Sequence, residues 1–408
     1  MTKIILRKGR DESLRRQHPW VFSGAVARID GPEPAEGEVV TVLAADGSLL
    51  GCGHFQKGSI AVRMLSFTDE ALPENFWDVR LAAALKVREA LHLDQHQTNC
   101  YRLVHGEGDL LPGLIIDWYD GVCVLQAHSA GMFLARGEIC QALQRLYGDA
   151  LVAVYDKSEG TAPHKAGLQL ADGYLYKNEH FAGGGAASAD GAPGLAEHIV
   201  CEHGNRFVVD WENGQKTGFF LDQRKNRAAV GRLAEGRRVL NLFCYTGGFS
   251  VYALAGGALH VDSVDSSAKA IALTDRNVAL GGFAARHESH CCDALDFLHS
   301  VPTGSYDLMI VDPPAFAKHR DALRNALRAY QRLNEDAIAK VAPGGIVFTF
   351  SCSQAVSHDV FAQAVMSAAI QVGRRVRILD RLNQPADHPV SIFHPEGEYL
   401  KGLVLYVE

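Results

Sequence analysis

The 408-residue chain is 47% hydrophobic and 21% charged, and its 40 Lys and Arg against 47 Asp and Glu give a formal net charge of −7. This is the composition of a water-soluble globular protein, long enough for two or three domains. It argues against a strongly basic nucleic-acid binder but not against a local basic patch. No run of about 18 apolar residues marks a membrane span. The apolar stretch near Met1 is too short for a secretory signal. Nine cysteines (Cys52, Cys100, Cys123, Cys140, Cys201, Cys244, Cys291, Cys292 and Cys352) form no CxxC pair and no metal-ligand spacing. Such an odd, scattered set suits a reducing cytosol, so a cytoplasmic protein without a disulfide framework or a metal is expected.

The N-terminal stretch is locally basic, with Arg7, Lys8, Arg10, Arg15 and Arg16 close together. His18-Pro-Trp-Val-Phe22 follows, then short alternating strands at Gly37–Leu43 and Ile60–Leu65, with Asp46-Gly47 as a hairpin signal between them. These features predict a small β-barrel whose basic edge is either an RNA-binding surface or a solvated charged turn. With Gly9 beside the basic cluster and Trp20 after it, the segment resembles a PUA domain, a small RNA-binding barrel. From residue 75 to about 200 a second α+β unit is expected. Trp77–Leu93 has helical periodicity through Val79, Leu81, Ala82, Leu85, Val87 and Leu91. Strands at Val122–Gln126 and Leu151–Tyr155 flank a Phe133–Tyr147 helix. Before them Tyr101–Leu114 reads as strand, tight loop, strand, and there His105, Glu107 and Asp109 fit a glycine-rich turn better than a metal site. Phe181–Gly194 is small and glycine-rich, either a hinge or a loop.

Asn213–Arg227 leads through Asp222, Gln223 and Arg224 into a helix, which Thr217 or Asp222 could cap. Four apolar runs then end in polar residues. Arg238–Phe243 breaks into Cys244-Tyr-Thr-Gly-Gly-Phe-Ser250, His260–Val264 stops at Asp265, Tyr306–Val311 stops at Asp312-Pro-Pro-Ala-Phe316, and Gly345–Phe350 stops at Ser351-Cys-Ser353. Strands alternating with helices imply a parallel sheet that binds ligands beyond the carboxyl ends of its strands. The turn of Asn241, Phe243, Tyr245, Thr246 and Gly247 suits a nucleotide-type ligand approaching the backbone and a helix N-terminus. Asp265 is placed for two ribose hydroxyls and Asp293, expected to end the third strand, for an adenine amino group. This ordered set, with Asp222 and Asp312, fits S-adenosylmethionine better than a dinucleotide.

In Asp312-Pro-Pro the prolines remove two backbone donors and leave carbonyls that can face a flat base. Amino-group methyltransferases often place an aromatic residue directly after the second proline, whereas Ala315 stands here and Phe316 follows. Cys352, just past a buried strand and flanked by serines, is placed instead as a nucleophile. A thiolate adding to C6 of a pyrimidine makes C5 an enamine-like carbon able to take a methyl group.

The combination of GQKTGFFLDQRKNR (214–227), NLFCYTGGFS (241–250), VDPPAFAK (311–318), FSCS (350–353) and FHPEGEYLKG (393–402) resembles the bacterial S-adenosylmethionine-dependent 23S ribosomal RNA cytosine-5 methyltransferases of the large-subunit I type. The resemblance implies an α/β chain: a PUA-like barrel at 1–72, a small α+β central domain at 73–200, and a Rossmann-like class I methyltransferase domain at 201–408. It implies Cys352 as the nucleophile and Asp312 as a contact to the cytosine or the methyl group. It implies ribosomal RNA, with the large subunit favoured, as partner. The proton-abstracting base is left open among His388, Glu396 and Glu398. Arg320, Arg324, Arg328 and Arg332 recur every four residues, a drifting helical stripe that could hold phosphates or simply face solvent. With Lys8, Arg10, Arg15 and Arg16, the first three of these are the RNA-binding candidates. Two rival readings remain: amino methylation of adenine or guanine on the same fold, and a non-catalytic RNA-binding or ribosome-assembly factor. Nothing marks an oligomer interface, so oligomeric state is open.

Overall fold

The computed structural model describes residues 2–93, 97–181, 198–316 and 323–408. By contacts the chain forms two compact units, each of which is discontinuous. The first is Met1–Val200, Val209–Leu221 and Ala386–Gly397; the second is Cys201–Val208, Asp222–Pro385 and Glu398–Glu408. Two short segments that the division by sequence groups with the C-terminal domain, 209–221 and 386–397, thus pack with the N-terminal residues.

The first unit holds two sheets. One has six strands in the order Trp20–Phe22, Ile60–Ser66, Leu49–Phe55, Val39–Leu43, Lys3–Leu6 and Val26–Asp30. Alternate residues of these strands (Ile4, Leu6, Val40, Val42, Val62 and Met64) close one apolar core. The expected hairpin is present: Gly47 takes φ +86°, and Asp46 accepts from the Ser48 N–H at 2.9 Å. The other sheet runs Gly173–Lys177, Ala153–Asp156, Val122–Ala127, Leu114–Tyr119 and Cys100–His105, with helices at Phe76–Glu89, Ala130–Leu134 and Arg136–Tyr147.

The Phe76–Glu89 helix departs from its expected face. Val79 and Val87 are exposed, while Arg88 is buried. Arg88 forms a two-pronged ion pair with Asp109 and donates to the carbonyls of Arg102 and Asp387. A guanidinium can be buried when all its donors find acceptors, and here that requirement overrides apolar periodicity. The same contacts explain the Gly106–Asp109 turn. Asp109 also accepts from the His105 N–H at 2.6 Å, and Glu107 accepts from the Trp20 indole at 2.9 Å. The expected Phe133–Tyr147 helix is broken at Ala135 into two shorter ones.

His54 is buried in this unit, and burial pulls it down to about 4. A histidine held neutral adds stability that is full above its ordinary value near 6.5 and is lost as pH falls toward 4. Its protonation then costs up to about 3 kcal/mol. Urea unfolding of the first unit should therefore shift to lower midpoints between pH 6.5 and 4. His54→Leu should flatten that slope, and an unchanged slope would count against the assignment.

The second unit is built on seven strands in the order His287–Cys291, His260–Asp265, Arg238–Leu242, Leu308–Val311, Gly345–Ser351, Lys401–Val407 and Val376–Asn383. The first five are mutually parallel; Lys401–Val407 runs antiparallel to both its neighbours. From Arg238–Leu242 the chain builds outward through two strands, then returns to add Leu308–Val311 on the other side. That reversal is the switch point at which doubly wound sheets bind ligands. Alternate residues Leu240, Leu242, Met309, Val311 and Val347 pack under helices Ala294–Ser300, Leu323–Lys340 and His358–Val372. Glu202 is fully buried between Arg224 and Arg227, at 3.2 Å and 2.8 Å, and accepts from the Tyr252 hydroxyl at 3.0 Å.

Candidate active site

The site in the second unit starts at the turn after Arg238–Leu242. Phe243 and Tyr245 take φ +58° and +47°, and Gly247 takes φ +72° just before helix Gly248–Ala255. Left-handed backbone at non-glycine residues costs energy and persists only where surroundings hold it. Here the holders are visible. Asp265 accepts from the Tyr245 N–H at 2.9 Å. Thr274 donates to the Tyr245 carbonyl and Asn277 to the Thr246 carbonyl, each at 2.8 Å. The second oxygen of Asp265 accepts from the Ser267 N–H at 2.9 Å.

Two expected cofactor residues are placed differently from the rest. Asn241 is fully buried in its strand and donates to Ser250 at 2.8 Å; Ser250 contacts Ser263, which contacts His287. It supports the turn from below. Asp293 does not end the third strand, which stops at Cys291. It caps helix Ala294–Ser300, accepting from the N–H groups of Leu295 and Asp296, and is exposed.

The other half of the site gathers three loops. Gln223 donates to Asp312 at 2.9 Å and is itself held by Asn226 at 2.6 Å. Asp222 accepts from the Tyr399 hydroxyl at 2.7 Å. Thus the start of helix Arg224–Leu233 meets the Asp312-Pro-Pro loop. Phe316 packs against Tyr330 with the rings tilted by 55° and their centres 4.8 Å apart, and the Tyr330 hydroxyl contacts Ser353 at 3.0 Å. Tyr330 therefore links the loop after Asp312 with the loop carrying Cys352. Cys352 is half-buried. By contrast, burial pushes Cys244 up to about 12 and Cys52 up to about 11, which keeps both as inert thiols. Gln223 was read in the sequence only as part of a helix start, and nothing local marks it as the partner of Asp312.

The candidate bases separate. Glu398 lies in the second unit and contacts His358 at 3.0 Å. In the first unit, His388 is buried beside Asp387, and Glu396 lies 3.7 Å from His18. Ligand atoms of His18, His394 and Glu396 lie close enough to hold a metal ion. However, His18 Nδ1 accepts from the Trp20 N–H at 3.2 Å. A neutral ring then carries its proton on Nε2, the nitrogen facing Glu396, which leaves no lone pair there for a metal.

The basic candidates are exposed. Lys8, Arg10, Arg15 and Arg16 line the surface of the first unit, where Arg15 pairs with Asp11 at 2.5 Å and Arg16 approaches Glu12 at 3.9 Å. Arg15, Arg16 and Gln17 border a shallow cavity with Ile392 and Phe393, so basic and aromatic groups meet there. Arg324, Arg328 and Arg332 are exposed along helix Leu323–Lys340, whose opposite face is buried. Arg320 lies outside the described residues, as does most of the glycine-rich Phe181–Gly194 stretch.

Over residues 101–396 the sequence matches the S-adenosylmethionine-dependent methyltransferase family, and over residues 4–67 a PUA-like domain. Ribosomal RNA large subunit methyltransferase I of Alteromonas mediterranea is 41% identical, with 99% of this chain and 98% of the relative covered. The proteins of that name from Erwinia tasmaniensis and Escherichia coli are 39% and 38% identical, each with 99% of both chains covered. Among solved structures, the methyltransferase SMU.776 complexed with SAH has a TM-score of 0.82 at 22% identity, covering 100% of both chains. An S-adenosylmethionine-dependent methyltransferase from Streptococcus mutans reaches 0.80 at 22%. These two show the fold.

S-adenosylmethionine is the cofactor, and the turn suits it. Each Asp265 oxygen accepts one backbone N–H, which leaves lone pairs for hydroxyl donors. A Cβ on Gly247 would meet Thr274 Cγ2 at 2.6 Å. Gly247→Ala should therefore weaken cofactor binding by roughly ten-fold or more, since left-handed backbone alone costs an alanine about 1–2 kcal/mol. Calorimetric titration with S-adenosylhomocysteine would show this, and unchanged affinity would remove the turn from the binding site. Matches of this length and identity settle the kinship: the chain belongs to the family of the ribosomal RNA large subunit methyltransferase I proteins, S-adenosylmethionine-dependent methyltransferases with an N-terminal PUA-like domain.

Proposed function

We propose that this protein methylates C5 of a cytosine in ribosomal RNA, in the 23S RNA of the large subunit, through a covalent adduct between Cys352 and C6. The supporting observation is Cys352 itself, half-buried at the carboxyl end of Gly345–Ser351 and two strands from the cofactor turn. The names of the full-length relatives support the RNA. The cofactor supplies the methyl group. The Cys352 thiolate adds to C6 and pushes electrons to C5, which takes the methyl group. Loss of the C5 proton to a base then expels the thiolate. Asp312, oriented by Gln223, faces the cytosine or the methyl group.

Asp222, Asn241, Phe243, Tyr245, Thr246, Gly247, Asp265 and Asp293 make up the cofactor side in this reading, with Asn241 acting from beneath the turn. Lys8, Arg10, Arg15, Arg16 and the Arg320–Arg328 stripe hold phosphates, and the cytosine is everted to reach the thiol. Such an enzyme works in the cytoplasm as three domains, 1–72, 73–200 and 201–408. Amino methylation is disfavoured because Ala315 follows Pro314 and Phe316 is engaged with Tyr330. The test uses ribosomal RNA from cells lacking the protein, incubated with labelled S-adenosylmethionine and digested to nucleosides. Label in 5-methylcytidine supports the reading; label in a methylated purine overturns it.

A further inference from the structure

Lys401 begins the strand Lys401–Val407 and stands opposite Ser351, the residue before Cys352, on the neighbouring strand. It is only 2% exposed. Its ammonium donates to the carbonyls of Ser353 and Val356, each at 2.6 Å, and so spans the loop that follows Cys352. Burying an ammonium is costly unless an opposite charge or a full set of acceptors compensates. Here the two acceptors are neutral carbonyls, and an ammonium has three protons. The nearby carboxylate, Glu398, contacts His358 at 3.0 Å. Two titratable groups favour the charged form of Lys401: Cys352 first, and Glu398 second. Tyr330, on the helix packed against the same loop, reaches Ser353 through its hydroxyl. Among the described residues no carboxylate pairs with Lys401, so this buried cation beside a cysteine at a strand end lacks a counter-ion of its own.

We infer that Lys401 is a positioning residue for Cys352: its buried ammonium clamps the Ser351–Val356 loop and is the counter-charge that stabilises the Cys352 thiolate. The thiol proton passes to solvent while the ammonium keeps its own three. This rests on the nucleophilic role of Cys352 but concerns a different property, the ionisation of the resting thiol. Burial pulls Lys401 down to about 8, so the pair is charged on both members only below the pH at which the ammonium is lost. Thiol activation by a neighbouring lysine is a recognised way to lower a cysteine's titration range.

The test is alkylation of the full-length protein by iodoacetamide, without RNA or cofactor, across pH 5.5 to 9.5. Peptide mass spectrometry reads modification at Cys352 alone. Lys401→Gln keeps donors for the two carbonyls and removes the charge; Lys401→Arg restores the charge. Below about pH 8, where Lys401 keeps its charge, the wild type and Lys401→Arg should share an acid-shifted profile. Lys401→Gln should be displaced upward by about one pH unit and react roughly ten-fold more slowly near pH 6.5. A Lys401→Gln profile with the wild-type midpoint overturns the inference, even if its melting temperature falls, because a purely structural lysine would not move the thiol's titration. Should Lys401→Gln fail to fold, a Lys401→Arg profile unlike the wild type overturns it and a matching one supports it. Alkylation does not depend on methyl transfer, so an inactive or differently acting Cys352 would be revealed separately by the methylation assay.

Discussion

Cys352→Ala should lower methyl transfer to ribosomal RNA by at least about 10⁴-fold, since loss of a covalent nucleophile removes a whole reaction path rather than one contact. Cofactor affinity should stay within about two-fold, because the thiol lies two strands away from the turn that Asp265, Thr274 and Asn277 hold. The fold should also tolerate the change, because Cys352 lies past the last strand residue, Ser351, and is only half-buried. A small change in stability, within about 1 kcal/mol, follows from that position. Single-turnover assays with labelled S-adenosylmethionine, alongside a thermal melt, separate these effects. Residual activity within ten-fold of the wild type would falsify the covalent route and leave the Asp312 loop to account for catalysis.

The largest loss of stability is expected from Glu202→Ala. Arg224 and Arg227 are both buried, and Glu202 is the carboxylate between them. Removing one member of a buried ionic group strands the remaining charge, at a cost of about 3–5 kcal/mol. Here two buried guanidinium groups lose the carboxylate they share, and the Tyr252 hydroxyl loses one of its two acceptors on Glu202. Tyr252 belongs to Gly248–Ala255, the helix that follows the Tyr245–Gly247 turn, so on the proposed reading cofactor binding should weaken with stability. Urea unfolding followed by tryptophan fluorescence and by cofactor protection measures both. An unfolding midpoint close to that of the wild type would show that water reaches the two arginines.

What the sequence reveals of this fold is what short-range patterning can carry. The central parallel strands Arg238–Leu242, Leu308–Val311 and Gly345–Ser351 are legible because both faces are buried, which makes them apolar runs with abrupt polar ends, whereas the edge strand His287–Cys291 is polar and half-exposed. The turn at Tyr245–Gly247 is legible because Gly247 supplies the left-handed position directly before a helix. Long-range polar pairing is not legible. Arg88 lies within helical periodicity, yet it is buried because Asp109 and the carbonyl of Asp387, 299 residues away, satisfy it. Asp293 follows the expected spacing of strand ends, yet two N–H groups of the next helix claim its carboxylate. Lys401 reads as a charged residue at the start of a strand, and only the fold of the neighbouring loop makes it a buried cation.

The segment Ala386–Gly397 has a consequence for how the protein is made. The first compact unit is not complete when residue 200 leaves the ribosome. The partner of the Arg102 N–H, Asp387, and the acceptor of one Arg88 donor are synthesised 285 and 299 residues after the groups they satisfy. Thr217, which bonds Asp117 at 2.6 Å, arrives 100 residues late. During translation the nascent N-terminal half therefore carries buried polar groups awaiting partners. Its final locking should wait for residues 386–397, which are made near the end of synthesis. A truncation at residue 200 removes those partners with the rest of the chain.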